Sequence, residues 1–292
     1  MIEGRCWDMM LQDINPRKLH NEYRPNYTPQ SGDYVLSFKD GELLMGISEE
    51  KVCFPKVEEL DGEARKELVY LFSVDDEVFL LARNGSIEVA GYGYEKLKAL
   101  RDKYYLPKEY VFAAFTAYQL DEWYSVTKFC GKCGSKNEDH SKERARICPV
   151  CGNVIYPRIY PAVIIGVTDK ETNRIILAKY RTGFGHNALV AGFTEIGETL
   201  EETVEREVME EVGLKVTNIR YYKSQPWGIA SDILAGFFCD VEGDPTIKMD
   251  ESELKYAEWV KPEDIVLQPL EYSMTNEMMK LFKEKGYEGT LK

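Results

Sequence analysis

Three glutamates, Glu207, Glu210 and Glu211, stand at i, i+3 and i+4 in a segment whose apolar spacing predicts a helix over 199–212. That spacing places all three carboxylates on one helix face, where they repel one another unless a cation sits among them. Clustered carboxylate oxygens suit a hard ion such as Mg2+ or Mn2+. A Glu-rich helix face is more often simply solvated, so the neighbours must decide. Gly192 opens the preceding loop, Arg206 adjoins Glu207, and Gly213 follows where a helix C-cap falls. A second constellation lies upstream. Cys130-x2-Cys133 and Cys148-x2-Cys151 are separated by 14 residues. Each pair sets two thiolates on one tight turn, and two such knuckles complete a closed S4 shell for a structural Zn2+. A disulfide framework is the rival reading, and a chain of this size without an export signal favours zinc.

The elements that must position these residues are legible in outline. Residues 1–125 read as an N-terminal α+β domain. Two hairpins are expected there, Tyr34–Phe38 with Glu42–Met45 across Asp40-Gly41, and Val78–Ala82 with Ser86–Ala90 across Asn84-Gly85. Two helical segments follow, from Gly93 to about Tyr105 and from Lys108 to about Val126, separated by Pro107. Residues 126–156 read as the zinc ribbon, and 157–292 as a mixed α/β domain. In the latter, strands are expected at Tyr160–Val167, Arg174–Lys179, Asn218–Tyr222 and Leu234–Val241, and a terminal amphipathic helix at Ser273–Lys285. Ile2-Glu3-Gly4-Arg5 spells a protease site and is given no role in the fold. The remaining cysteines, Cys6, Cys53 and Cys239, read as small core residues. The three histidines fit no catalytic pairing.

Composition narrows the function. The 292 residues carry 37 Lys plus Arg against 50 Asp plus Glu, a net charge of −13, with 44% apolar and 12% aromatic residues. This is globular composition with no run of about 20 apolar residues to span a bilayer. With no apolar signal-peptide core, a soluble cytoplasmic protein is expected. The acid excess argues against a broad footprint on duplex nucleic acid or an anionic membrane. An anionic substrate remains open where metal ions supply the positive charge.

The stretch Gly192 to Leu214 resembles the signature of the Nudix hydrolases, G-x5-E-x7-R-E-U-x-E-E-x-G-U with U apolar, and every demanded position is present. Seven fixed residues, at a generous frequency of about 10% each, coincide by chance in roughly one window in ten million. The resemblance implies an α/β/α sandwich, hydrolysis of a nucleoside diphosphate linked to another group, and Glu207, Glu210 and Glu211 as catalytic metal ligands. It also implies a backbone ligand from the carbonyl of Ala191, and orienting roles for Glu198 and Arg206. The overall order of N-terminal domain, four-cysteine ribbon, Tyr156-Pro157-Arg158 and box is similar to the NADH pyrophosphatase family. That likeness covers the chain well from about Ala117 and the first 110 residues only in outline.

The family carries SQPWPFPxS downstream of the box. Here Ser224-Gln225-Pro226-Trp227 is kept and Gly228-Ile229-Ala230 replaces the Pro-Phe-Pro. Loss of the prolines predicts a more relaxed loop. By the same resemblance Phe193, Tyr156, Gln225, Pro226, Trp227 and Thr275 are candidate substrate contacts, each with a core or surface residue as its plainer reading. Glu253 is the downstream glutamate expected to complete the metal site, with Glu251 a near competitor. The implied activity is Mg2+- or Mn2+-dependent cleavage of NADH or NAD+ to nicotinamide mononucleotide and AMP, and removal of NAD caps from RNA 5′ ends, by a homodimer. Two alternatives stand beside it. One is the same chemistry on ADP-ribose, a dinucleoside polyphosphate or another ADP-linked compound. The other is a zinc-ribbon binding module on a non-catalytic Nudix scaffold, which the intact carboxylates oppose.

Overall fold

The computed structural model describes residues 10–83, 86–183 and 185–291. Two units divide them, one of residues 11–158 with 227–231, the other of residue 10 with 159–226 and 232–291. In the first, turn chemistry starts the sheet. Asp40 and Gly41 take φ angles of 51° and 79°, the left-handed geometry of a type I′ hairpin.

Seven strands result: β1 (Leu19–His20), β2 (Tyr34–Lys39), β3 (Glu42–Ile47), β4 (Val52–Cys53), β5 (Leu68–Val74), β6 (Glu77–Ala82) and β7 (Gly93–Lys96). Their order is β1-β5-β6-β2-β3-β4, with β7 paired to β3. The second expected hairpin does not form. Its turn, Asn84-Gly85, lies outside the described residues, and Ser86–Ala90 is not a strand. Both edges of β6 are already taken, by β5 antiparallel and β2 parallel, so no ladder position is left. The expected helix from Gly93 is also corrected. Gly93–Lys96 pairs with Met45–Glu42, and only Leu97–Arg101 coils, as a 3-10 turn. Helix α1 spans Lys108–Val126 as expected, and buries Tyr110, Phe112, Phe115 and Trp123. Cys53 departs from its expected core position and is exposed, whereas Cys239 is fully buried. Cys6 and Ile2–Arg5 lie outside the described residues.

Within the same unit, β8 (Glu138–Asp139), β9 (Arg146–Ile147) and β10 (Val154–Ile155) form a three-stranded antiparallel ribbon in the order β10-β9-β8.

The second unit is built on a mixed sheet. Its elements are β11 (Tyr160–Asp169), β12 (Arg174–Tyr180), β13 (Val190–Phe193), α2 (Leu200–Val212), β14 (Lys215–Trp227), β15 (Asp232–Glu242), β16 (Leu254–Val260) and α3 (Met274–Lys285). The sheet runs β14-β15-β11-β12-β16, with β13 on β11. The β11–β15 pair is parallel and β13 runs antiparallel to β11. Successive strand residues face opposite sides. Val163, Ile165 and Val167 of β11 therefore share one face, which packs with Val204, Val208 and Val212 of α2. On the other face Gly236, in register with Ile164, leaves room for Met274 and Met278 of α3. A helix on each face makes an α/β/α sandwich, and the chain as a whole is α+β. Among the described residues no helix is long and apolar enough to cross a membrane.

Candidate active site

Helix α2 is defined at both ends by its own residues. Thr199 accepts a hydrogen bond from the Glu202 N–H at 3.1 Å, and the Glu202 carboxylate accepts one from the Thr199 N–H at 2.8 Å, a reciprocal capping box. At the far end Gly213 takes φ 68° and its N–H reaches the Met209 carbonyl. With its ends set and its valines in the core, α2 has one remaining face for its carboxylates, and their depth is graded. The Glu211 residue is 2% exposed, while the side chains of Glu207 and Glu210 are 12% and 59% exposed.

Arg206 ties this helix to the loop before it. Its Nε donates to Glu198 Oε1 at 2.6 Å and one terminal nitrogen donates to Glu198 Oε2 and the Phe193 carbonyl. The other terminal nitrogen meets Glu207 at 2.7 Å and Glu210 at 3.0 Å. These bonds, chiefly those from Arg206, hold the Glu198 carboxyl down at about 2. Five anionic or carbonyl oxygens thus share one guanidinium, whose planar fork fixes their directions.

The strand end beneath the helix is shaped for Glu207. A Cβ at residue 192 would lie 1.9–2.3 Å from the Glu207 carboxylate, so only glycine leaves that space. Beside it, the Tyr180 hydroxyl donates to Glu211 Oε1 at 2.8 Å and accepts from the Ala191 N–H at 3.1 Å. Burial pushes the Glu211 carboxyl up to about 8, an effect reinforced by Glu207 and Glu253 and opposed by the Tyr180 bond. Glu207 is raised in the same direction, first by burial and against the pull of Arg206. Glu253 is exposed, with its backbone carbonyl bonded to the Arg181 N–H, and its carboxylate is close enough to add repulsion at both Glu207 and Glu211. Three carboxylates kept together at this cost, with hard oxygen donors and a carbonyl at Ala191, fit a divalent cation.

The four cysteines form the one group of three or more potential metal ligands, among the described residues, whose donor atoms all lie within 4.8 Å of one another. Cys130 and Cys151 Sγ are 3.6 Å apart, and Cys133 and Cys148 Sγ 3.4 Å. A tetrahedron with Zn–S bonds of about 2.3 Å has edges of about 3.8 Å. The two knuckles repeat one geometry. Gly134 and Gly152 take φ 77° and 71°, and their N–H groups bond the carbonyls of Cys130 and Cys148.

The remaining candidates are placed unevenly. Phe193 is 55% exposed at the end of β13, edge-on to Tyr160. Thr275 is half-buried in the first turn of α3. Tyr156 is also exposed and donates to Glu143 at 3.0 Å. Gln225 sits inside the second unit, fully buried. Its Nε2 donates to the Tyr272 carbonyl and its Oε1 accepts from the Met274 N–H, so its amide ties β14 to the start of α3 and is not open to a base. Pro226 is exposed. Trp227 is half-buried, edge-on to Phe115 with Arg101 over its ring. Gly228 does not relax its loop. A Cβ there would lie 2.2 Å from the Phe115 carbonyl oxygen, so glycine is what lets this backbone touch α1. Tyr180 is not singled out by sequence, because nothing in its neighbourhood places it opposite a residue 31 positions away.

Residues 158–282 match the NUDIX domain, and residues 127–156 the NADH pyrophosphatase zinc ribbon domain. The NAD-capped RNA hydrolase NudC of Vibrio vulnificus (strain CMCP6) is 36% identical over 228 residues, 77% of this chain and 80% of that protein. The chain belongs to the Nudix hydrolases with an NADH pyrophosphatase zinc ribbon. Proteins of the same name from Vibrio atlanticus (strain LGP32) and Enterobacter sp. (strain 638) are 40% and 42% identical over 162 and 153 residues. Those two alignments take in 55% and 52% of this chain and span 59% and 58% of the relatives' length. In this Nudix chain the fixed positions of the signature act locally. Gly192 provides space, Glu198 and Arg206 form a clamp, Gly213 caps the helix, and the carboxylates lie between them.

Proposed function

We propose that this Nudix chain is a Mg2+- or Mn2+-dependent pyrophosphohydrolase that splits NADH or NAD+ into nicotinamide mononucleotide and AMP and removes NAD caps from RNA 5′ ends. The observation that carries the reading is the approach of Glu253 to half-buried Glu207 and buried Glu211, the latter two on a helix that Arg206 fixes against the Gly192 loop. Glu207, Glu210, Glu211, Glu253 and the Ala191 carbonyl would hold the divalent ion. Bound there, it would neutralise pyrophosphate oxygens and lower the pKa of an attacking water. Arg206 keeps the Glu207 and Glu210 carboxylates aimed, and Gly192 leaves the Glu207 carboxylate room to lie flat on the strand. Exposed Phe193 offers a ring face for a base, with Thr275 as a further contact. The ribbon cysteines would hold Zn2+ structurally, since four thiolates leave no open position. The relatives' name, NAD-capped RNA hydrolase, supports this substrate class. The acid excess favours grip at the capped end of an RNA over extended contact. A cytoplasmic homodimer belongs to the same proposal, and light scattering of the purified chain tests the dimer.

A second reading has a specific observation behind it. Gln225 is consumed internally, and Gly228 packs against α1 where the family carries Pro-Phe-Pro. The wall that faces a base then differs, which favours ADP-ribose or dinucleoside polyphosphates. Turnover of NADH, NAD+, ADP-ribose and diadenosine polyphosphates under one metal condition separates the two. The first reading expects NADH or NAD+ to be preferred, and a marked preference for the others overturns it.

A further inference from the structure

The Tyr180 hydroxyl stands at a junction of the two structures that bear the carboxylate and carbonyl donors. It lies 2.8 and 3.1 Å from the two oxygens of Glu211, 3.1 Å from the Ala191 nitrogen and 3.4 Å from the Ala191 carbonyl oxygen. A phenol has one proton to give. The shortest contact is Glu211, at 2.8 Å against 3.4 Å for the Ala191 carbonyl, so the proton goes there. The hydroxyl lone pairs then receive the Ala191 N–H at 3.1 Å, and the Ala191 carbonyl oxygen lies 3.4 Å from the same hydroxyl. One hydroxyl therefore sets the spacing between a carboxylate on α2 and a carbonyl on β13, two residues 20 positions apart in sequence.

We propose that Tyr180 is a positioning residue for the divalent-metal site, holding Glu211 and the Ala191 carbonyl in the arrangement that receives the ion. The inference rests on the metal-dependent reading above and adds a residue outside the signature to it. Tyr180 sits on β12 and is half-buried, with its ring packed against the valine core. Its hydroxyl makes the hydrogen bonds to the donors and its ring packs on the core, so replacement by Phe removes the first and keeps the second. Outer partners that orient metal ligands commonly govern metal affinity by about 10–100-fold.

The test is Tyr180→Phe, with Tyr180→Leu as the second variant, compared by far-UV circular dichroism to confirm folding. Mn2+ binding to the substrate-free protein, read by the electron paramagnetic resonance of free Mn2+, is expected to weaken at least about tenfold in either folded variant. In turnover, the Mn2+ concentration for half-maximal rate is expected to rise while KM for the dinucleotide stays within about twofold. In a Glu211→Gln background, adding Tyr180→Phe should weaken Mn2+ binding by clearly less than it does in wild type, because much of the hydroxyl's effect passes through Glu211. Unchanged Mn2+ affinity in a folded variant overturns the proposal, as does full additivity with Glu211→Gln. If wild type binds Mn2+ in the Tyr180-dependent way yet leaves NADH and NAD+ intact, the substrate reading fails and the positioning role stands.

Discussion

Gly192→Ala should separate catalysis from folding. The new Cβ would lie 1.9 Å from Glu207 Cδ, against an ordinary contact of 3.4 Å, so the carboxylate must move by about 1.5 Å. What it strikes is the far end of a flexible side chain, and the backbone at residue 192 is not left-handed. Folding is therefore perturbed only through the Arg206–Glu207 pair at 2.7 Å, about 1 kcal/mol. The reduced freedom of the unfolded chain offsets part of that. Catalysis is far more sensitive, since a misplacement of about 1 Å costs on the order of 100-fold. The expected result is a kcat for NADH with Mn2+ at least 100-fold below wild type, with a thermal midpoint within a few degrees. Gly228→Ala is the contrasting control. There the Cβ meets the Phe115 carbonyl at 2.2 Å, a backbone group that cannot swing aside, and a loss of about 2 kcal/mol is expected. Gly192→Ala turnover within threefold of wild type would refute the reasoning, and so would a stability loss matching that of Gly228→Ala.

Two further outcomes follow from the same geometry. Glu211 titrates near 8 when folded, raised by burial from the ordinary 4.5, so between those values the folded state binds the extra proton. Stability of the Mg2+- and Mn2+-free protein should then fall as pH rises from about 4.5 through about 8. Glu211→Gln should flatten that slope and raise stability at pH 8 while abolishing turnover, as urea denaturation at pH 5 and pH 8.5 will register; a slope of the same size in the variant contradicts it. Cys133→Ser should reduce the zinc content from about one ion per chain and lower the thermal midpoint, since closed zinc sites contribute directly to folding; elemental analysis with unchanged zinc would count against the ribbon assignment.

What can be read from sequence follows physical locality. Thr199, Gly213 and the valines of α2 announce that helix because caps and apolar spacing act within a few residues, and Asp40-Gly41 announces its turn for the same reason. The ribbon and the glutamate face are equally local, being set by spacings of three or four positions. Sequence and structure part where a distant partner decides. Gly93–Lys96 carries a helix-like pattern but is captured by the free edge of β3, and Ser86–Ala90 is excluded because β5 and β2 already flank β6. Gly228 reads as a loosened loop and is a close contact with Phe115. Gln225 reads as a free amide, and its partners Tyr272 and Met274 lie nearly 50 positions later. Tyr180 is invisible for the same reason.

The central claim is attack at phosphorus on a pyrophosphate bridge by a site built on Glu207, Glu211 and Glu253. It is tested most directly by incubating NADH with the protein and Mn2+ in 18O-labelled water and weighing the products. Reduced nicotinamide mononucleotide and AMP, with one 18O on one of the two phosphates and none formed by Glu207→Gln, is the predicted result. Free nicotinamide with ADP-ribose, unlabelled phosphates, or equal turnover by Glu207→Gln would contradict it.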